Sequence, residues 1–563
     1  MDSTAEHHGE DKAAPVTDAT KVGTTAEESS VKDTTVEEKA ATDDNPNYIT
    51  GARLGLIIAS LMLGVFCVAL DNNIVAVAIP RITNEFHTLN HVGWYGSAYL
   101  LPGCGFQLLF GKLYTLFRVK WVFLSGLFLF ELGSLICGVA PNSVALIIGR
   151  AIAGIGSSGL FTGAMMVIAH TIPLQKRPAY MGMTGGVYGI ASVVGPLIGG
   201  AFTDKATWRW CFYINLPLGG LTAAGILFLL QLNERAGSNP EPLAVTVKKL
   251  DPIGTLMFVP SVVCLLLALQ WGGVQYPWSD GRVIALLVVF GISFLAFIAL
   301  QIFLGDNATV PARIATQRTI LFACIFNICV GGSFFILSYY IPIWFQVVKN
   351  VSAIKSGIYF LPFIIPEIVA VMASGGIVTA TGYYNPLVIL GTVLMSIGAG
   401  LCTLFNLHTP QAQWVGYQFI FGFGVGIGFQ QGAVAAQNVL PMADVATGTA
   451  LVLFFQIFGG AVFVAVAQNL LASSLVEKLV ALDIPGLSPD VIVKAGVTHL
   501  RELVGPEFLP QVLVAYNASI VQTFRLALVL ACVSLIGALG MEWKSVKKQG
   551  AEQQVAEKQD GEN

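Results

Sequence analysis

Four ionisable residues stand deep inside apolar runs: Asp71, Glu131, Arg150 and Glu367. Charge in such surroundings is costly and is usually kept for work on ions or protons. If the runs are membrane-crossing helices rising about 1.5 Å per residue, Asp71, Glu131 and Arg150 fall roughly 10–14 Å below the same outer surface. Two carboxylates and an arginine at one depth predict a buried, titratable cluster. Arginine stays charged, so it can pair with one carboxylate while the other loads and releases a proton. The competing reading is a static ion pair that only fixes helix packing. Glu367 is alone in the second half of the chain.

That second half offers amides and hydroxyls instead of charge: Asn327, Tyr339, Tyr340, Gln346, Gln418, Gln430, Gln431, Gln437 and Gln456. With Asn72, Asn73 and Gln107 they suit a cavity that hydrogen-bonds neutral or weakly polar molecules. About half are expected to face a pathway and the rest to bind helix to helix. The expected pathway set is Asn72, Asn73, Gln107, Asn327, Tyr339, Gln346, Glu367, Gln430 and Gln456.

The elements that must position these residues follow from composition. Of 563 residues, 55% are hydrophobic and 11% charged, against about 25% charged in an ordinary soluble domain. Mean hydropathy is +0.72. Lipid must therefore solvate most of the surface, which excludes a soluble enzyme, a nucleic-acid binder and a secreted disulfide scaffold. Apolar stretches of about 20 residues, enough to cross a ~30 Å core, recur about fourteen times. They fall near 54–79, 93–116, 120–140, 143–168, 178–202, 212–232, 251–271, 283–304, 319–345, 356–377, 386–406, 413–438, 446–471 and 523–542. The fold class is all-α and polytopic.

Charge orients the chain. Residues 1–50 carry 12 acids and 4 lysines without apolar periodicity, and read as a disordered acidic tail. An even number of spans puts both termini on one side. Loops on that side hold Lys112, Arg118, Lys120, Lys176, Arg177, Arg313 and Arg318, with Lys544, Lys547 and Lys548 beyond the last span. The opposite loops are poorer in Lys and Arg, so the positive-inside bias predicts cytoplasmic termini. The segment 472–522 would be an external loop of short helices lying on the membrane, and 546–563 a cytoplasmic tail. Asn350 and Asn517, in N-x-S motifs, would then face outward as glycosylation acceptors.

Several patterns carry less than they suggest. Gly154 to Gly159 matches the dinucleotide fingerprint by letter, but sits inside a membrane helix instead of after a strand. Close helix packing is the better reading, as for Gly422, Gly424, Gly426 and Gly428. No phosphate-binding G-x-x-x-x-G-K-[ST] loop, zinc motif or catalytic constellation occurs, and no cofactor is expected. The 9 cysteines are scattered singly and read as packing residues. Gly195-Pro196 with Gly199-Gly200 predicts a place where a helix bends.

Motifs in order along residues 50–545 resemble the major facilitator superfamily, in its fourteen-helix drug:proton antiporter branch. Leu70 to Val75, ending in Ala78-Ile79-Pro80, resembles the first-helix L-D-x-T-I-V signature, with Asn73 for Thr. Gly149-Arg150-Ala151 with Gly154 and Gly156 resembles the fourth-helix arginine motif. Ala191 to Gly200 resembles the antiporter motif, with Ala191 for its first Gly. Trp208 to Pro217 resembles W-R-W-x-F-x-I-N-x-P. The loop from Gly111 through Arg118 to Lys120 departs from the family pattern, with Thr115 where an Asp latch stands.

This resemblance implies two six-helix bundles, 51–232 and 319–545, joined by 233–318 with two inserted helices, which rock about a central site. It implies Asp71 as proton carrier and Arg150 as its coupling partner; Glu131 joins them on depth alone. Gly111, Arg118, Gly195, Pro196, Gly199 and Gly200 would serve gating. The expected function is proton-coupled export of a hydrophobic or amphipathic small molecule, a fungal metabolite or xenobiotic, by a monomer. The plasma membrane is the expected site, with a vacuolar or vesicle membrane as alternative. The rival function is uptake, for example of an iron chelate.

Overall fold

The computed structural model describes residues 49–87, 91–232, 246, 249–273, 275–482, 504–505 and 507–552. The acidic tail, most of the polar linker after the sixth span and the last eleven residues lie outside them. Among the described residues thirteen helices are long and apolar enough to cross a membrane. A fourteenth helix, Val92–Leu116, packs among them but carries Gln107, Lys112 and several tyrosines that lower its hydropathy.

In chain order the helices are α1 (Gly51–Phe86), α2 (Val92–Leu116), α3 (Val119–Val139), α4 (Ser143–Thr171), α5 (Arg177–Lys205) and α6 (Trp210–Leu229). Then come α7 (Pro252–Trp271), α8 (Gly281–Leu304), α9 (Arg318–Val347), α10 (Ala353–Thr381), α11 (Asn385–Cys402), α12 (Gln411–Val439), α13 (Met442–Ala481) and α14 (Leu509–Gly540). Polar residues set the starts: Asn142, Asp251, Asp280, Gln317 and Ser352 each accept a hydrogen bond from a backbone N–H of the first turn.

Helices α1–α6 pack as one bundle and α9–α14 as another; α5 lies along α10 and α2 along α13. Glycine sets the spacing of these seams. A methyl on Gly182, Gly185, Gly186 or Gly189 would run into Val371, Met372 or Ile368 of α10, and one on Gly111 would strike Ala450 of α13. The inserted pair α7–α8 packs together, with α7 against α2 and α13. Helix α8 is strongly apolar and buries only 11% of its most apolar stretch within the protein, so lipid must cover the rest.

Both described ends of the chain lie at one end of the bundles. Arg53 Nε donates to the Leu229 carbonyl, and Gly550 lies against Gln175 in the α4–α5 connection. At that end the halves are joined: Thr115 Oγ1 meets Thr447 Oγ1 at 3.1 Å, Ala179 N–H donates to Thr379 Oγ1, and Gln437 Nε2 donates to the Met165 carbonyl. Thr115 thus contacts the second bundle as a neutral hydroxyl.

Helix ends differ from expectation in the segment 472–522. α13 continues to Ala481 and α14 begins at Leu509, so residues 472–481 and 509–522 of this segment extend the crossing helices; residues 483–503 and 506 lie outside the described set. Alternation of charged and apolar residues there reflects a helix leaving the membrane, with Leu475 and Leu479 buried on one side. Asn517 is corrected as a glycan acceptor. It is buried in α14, where its Oδ1 accepts from Trp344 Nε1 at 2.7 Å and its Nδ2 donates to the Phe405 carbonyl. No glycan can reach an amide so enclosed. Asn350 is exposed between α9 and α10.

Candidate functional site

Asp71 and Arg150 are drawn together by α1 and α4. Arg150 Nη1 donates to Asp71 Oδ2 at 2.6 Å, and both side chains are fully buried. The rest of the guanidinium is held by the Tyr95 carbonyl, 3.0 Å from Nε, and by the Tyr99 ring, whose centre lies 4.3 Å from the guanidinium carbon. Asn215 of α6 donates to Asp71 Oδ1 at 3.2 Å and to Ser134 Oγ at 3.1 Å. A buried charge pair is tolerable when its remaining lone pairs and protons are satisfied in this way.

Glu131 is close to this pair and outside it. Its carboxylate is near enough to feel the charge of Asp71, and a methyl on Gly219 of α6 would strike it. Both carboxylate oxygens are buried without a hydrogen-bond partner. The three ionisable residues therefore converge as expected, with Asp71 as the paired carboxylate and Glu131 as the unpaired one.

The ion pair stands one residue behind the wall of a cavity between the two bundles. The cavity is lined by Val68, Asn72, Tyr99, Leu100, Gln107, Ser157, Ser158, Phe161 and Tyr188 from the first bundle, and by Phe335, Phe429, Gln430, Gln456 and Ile457 from the second. Tyr99 belongs to both sites, and Asn72 follows Asp71 directly. No charged side chain lines the cavity.

Of the expected pathway residues, Asn72, Gln107, Gln430 and Gln456 line this space. The others do not. Asn73 and Asn327 bond to carbonyls one turn back in their own helices. Tyr339 is 57% exposed but does not line this cavity, and Gln346 is half-buried near the end of α9. Glu367 is half-buried in α10, within electrostatic reach of Tyr188. Gly195 and Gly199 press α5 onto Asn73 and Ile74 of α1, beside Asp71, while α5 runs unbroken through Pro196. Gly200 only touches Val77, and Arg118 stands exposed at the start of α3.

Asn215, Ser134, Tyr99 and Tyr188 complete the site but were not in the expected set. Asn215 sits within the tryptophan motif. Tyr99, Gly103 and Gln107 recur every four residues and so form one stripe of α2.

A second polar cluster bridges the joined end. Asp251 is buried and accepts from Gln301 Nε2 at 2.7 Å and Thr309 Oγ1 at 2.9 Å. Lys112 Nζ of α2 donates to the Ala308 carbonyl at 2.6 Å. Arg313 bonds Asp444 at the start of α13 through both terminal nitrogens, and its Nε bonds Asp306. These carboxylates push the Arg313 pKa up, Asp444 most of all. The connection from α8 to α9 thus ties α2 to α13. Arg313→Gln is expected to loosen this end by about 1 kcal/mol, a roughly fivefold shift for so exposed a pair. Faster thiol labelling of a Thr447→Cys reporter would show it; an unchanged rate would refute it.

Two bundles of membrane helices around a shared cavity, with a buried ion pair at its wall, define a membrane transporter. The Major Facilitator Superfamily model matches residues 61–464, and the chain belongs to that family. It is 56% identical over 502 residues to "Efflux pump aflT" of Aspergillus parasiticus, covering 89% of this chain and 98% of that protein. It is 54% identical over 501 residues to "MFS-type efflux pump MFS1" of Trichophyton rubrum, covering 89% and 93%. "MFS-type transporter phomT" of Diaporthe leptostromiformis is 50% identical over 525 residues, covering 92% and 88%. Among solved structures, a double Trp mutant of XylE matches with a TM-score of 0.56 at 13% identity, covering 88% of this chain and 98% of that one. The human organic anion transporter MFSD10 matches with a TM-score of 0.53 at 13% identity, covering 86% and 100%.

Proposed function

We propose that this protein is a plasma-membrane antiporter that exports a hydrophobic or amphipathic small molecule, a fungal metabolite or xenobiotic, against inward proton flow. The observation that carries this reading is the Asp71–Arg150 pair with an unpaired Glu131 beside it, one residue from an uncharged cavity. Relatives named as efflux pumps support the direction. The end that carries the termini is taken as cytoplasmic, in keeping with its wealth of Lys and Arg. Cargo would enter from that side once the seam of α2 with α13 and of α5 with α10 parts.

In this mechanism a proton on Asp71 removes the charge that holds Arg150. Glu131 then supplies the alternate counter-ion, so Arg150 never stands uncompensated in a dry interior. Because Tyr99 touches both Arg150 and the cavity, a shift of the guanidinium alters the cargo site. Asn72 carries the same link along α1.

The test uses the purified full chain in liposomes, with a neutral fluorescent aromatic probe and an imposed pH gradient. The probe is expected to move opposite to the proton flow and to stop with a protonophore. Movement with the protons would establish uptake instead, and movement indifferent to the gradient would remove proton coupling. Glu131→Gln is expected to keep probe binding while gradient-driven flux falls about 100-fold, the scale of one positioned proton-transfer group. Undiminished flux in that variant would exclude Glu131 from the relay.

A further inference from the structure

We infer that Gln430 is a specificity-determining residue for cargo, and that the cargo class is a flat, neutral aromatic compound presenting a hydrogen-bond donor and an acceptor on one edge. The inference rests on reading the cavity between the bundles as the cargo site. Its starting point is a break in α12: residues 429 and 430 leave the helical pattern. Gln456 Nε2 satisfies the Phe429 carbonyl at 3.0 Å, and the Gln430 carbonyl accepts from Val434 N–H. The backbone at the break is thus provided for, and the Gln430 side chain is left to the cavity.

That side chain is 2% exposed, and neither its Oε1 nor its Nε2 has a hydrogen-bond partner. Leaving a buried amide unpaired costs free energy that a ligand can recover. Since both ends are unpaired, a donor and an acceptor are presented whichever way the amide is turned. Gln107 across the gap repeats the pattern: Nε2 donates to Thr162 Oγ1 at 2.7 Å while Oε1 has no partner.

Gly185 of α5 faces Gln430. A Cβ there would lie 3.4 Å from Nε2, so the absent side chain leaves room for the amide between the bundles. Phe161, Phe335 and Phe429 supply aromatic walls, and no lining side chain offers a counter-ion to a charged cargo. A lactam, or a ketone beside a free hydroxyl or N–H, meets the Gln430 amide edge to edge with both bonds at once. A cargo bonded by Gln430 and Gln107 together touches both bundles.

The test compares two probes on the full chain in nanodiscs: phenanthridin-6(5H)-one, a flat lactam, and its N-methyl derivative, which lacks the donor. The wild type is expected to bind the lactam about tenfold more tightly or better, the scale of discrimination against a missing polar group in a buried site. In Gln430→Met the preference is expected to fall to near unity, because lactam binding weakens toward that of the N-methyl probe. Gln430→Asn, measured alongside, withdraws both polar atoms by one methylene and should lose most of the preference. Equal binding of the two probes by the wild type, or a preference kept in both variants, would overturn the assignment. If the wild type binds neither probe while a pH gradient still drives export in liposomes, the cargo class fails and the efflux reading stands. If the preference follows Gln430 but no gradient drives export, the site stands and the efflux reading fails.

Discussion

Asp71→Asn is expected to abolish gradient-driven export while the protein remains in the membrane with its cavity able to bind a neutral aromatic probe. The amide oxygen can still accept from Arg150 Nη1, which contacts Asp71 Oδ2 at 2.6 Å. The new NH2 group takes the place of Oδ1, which Asn215 Nδ2 contacts at 3.2 Å; Asn215 must turn its amide so that its unpartnered Oδ1 accepts there instead. The amide at position 71 cannot carry the negative charge or exchange the proton. Arg150 keeps the Tyr95 carbonyl and the Tyr99 face, so the site holds its shape. Removing one charge of a buried pair typically costs about 3–5 kcal/mol when nothing replaces it; the retained hydrogen bonds and Glu131 nearby place this variant below that range. Asp71→Ala, which leaves Arg150 without an acceptor, should be the less stable of the two. Flux in liposomes and the thermal midpoint of the purified protein separate the effects. Normal gradient-driven flux in Asp71→Asn would end the assignment of Asp71 as proton carrier.

Charge made this centre legible in the sequence. Asp71, Glu131 and Arg150 stand out because almost nothing else in the apolar runs is ionisable, and helical rise places them at one depth. The amides were harder. Gln107, Gln430 and Gln456 reach the cavity, whereas Tyr339 of the equally apolar α9 does not line it. A helix apolar on every side carries no periodic sign of which face turns inward. Asn215 lay in a motif dominated by its tryptophans, one of which, Trp208, donates from its indole nitrogen to Glu85 at 2.6 Å, near the opposite end of α1 from the termini. Asn517 shows the converse fault, because a glycosylation motif encodes no burial. Helix ends in 472–522 were missed because hydropathy marks where lipid stops and not where hydrogen bonding stops.

Gly154→Val is expected to disable the protein through the backbone of α2 and not through any ligand. A side chain at Gly154 would be driven into the Tyr99 carbonyl, and Gly103 faces the Gly154 carbonyl from the other helix, 3.2 Å from where a Cβ would stand. The two helices can approach this closely only because both positions lack side chains. Tyr99 is also the ring that covers Arg150 and lines the cavity. Overpacking of this kind costs about 1–3 kcal/mol, and here it pushes the Tyr99 ring off the guanidinium. Even Gly154→Ala should therefore lower the thermal midpoint and reduce flux. Gly220→Ala serves as the control, since nothing lies within 4 Å of a methyl there. The same stripe sends Gly156 against Phe130 of α3 and Gly159 against Phe110 of α2, so the dinucleotide-like run is a packing surface for two helices. If Gly154→Ala matched Gly220→Ala in both stability and flux, close approach of α2 to α4 would not be what this run provides.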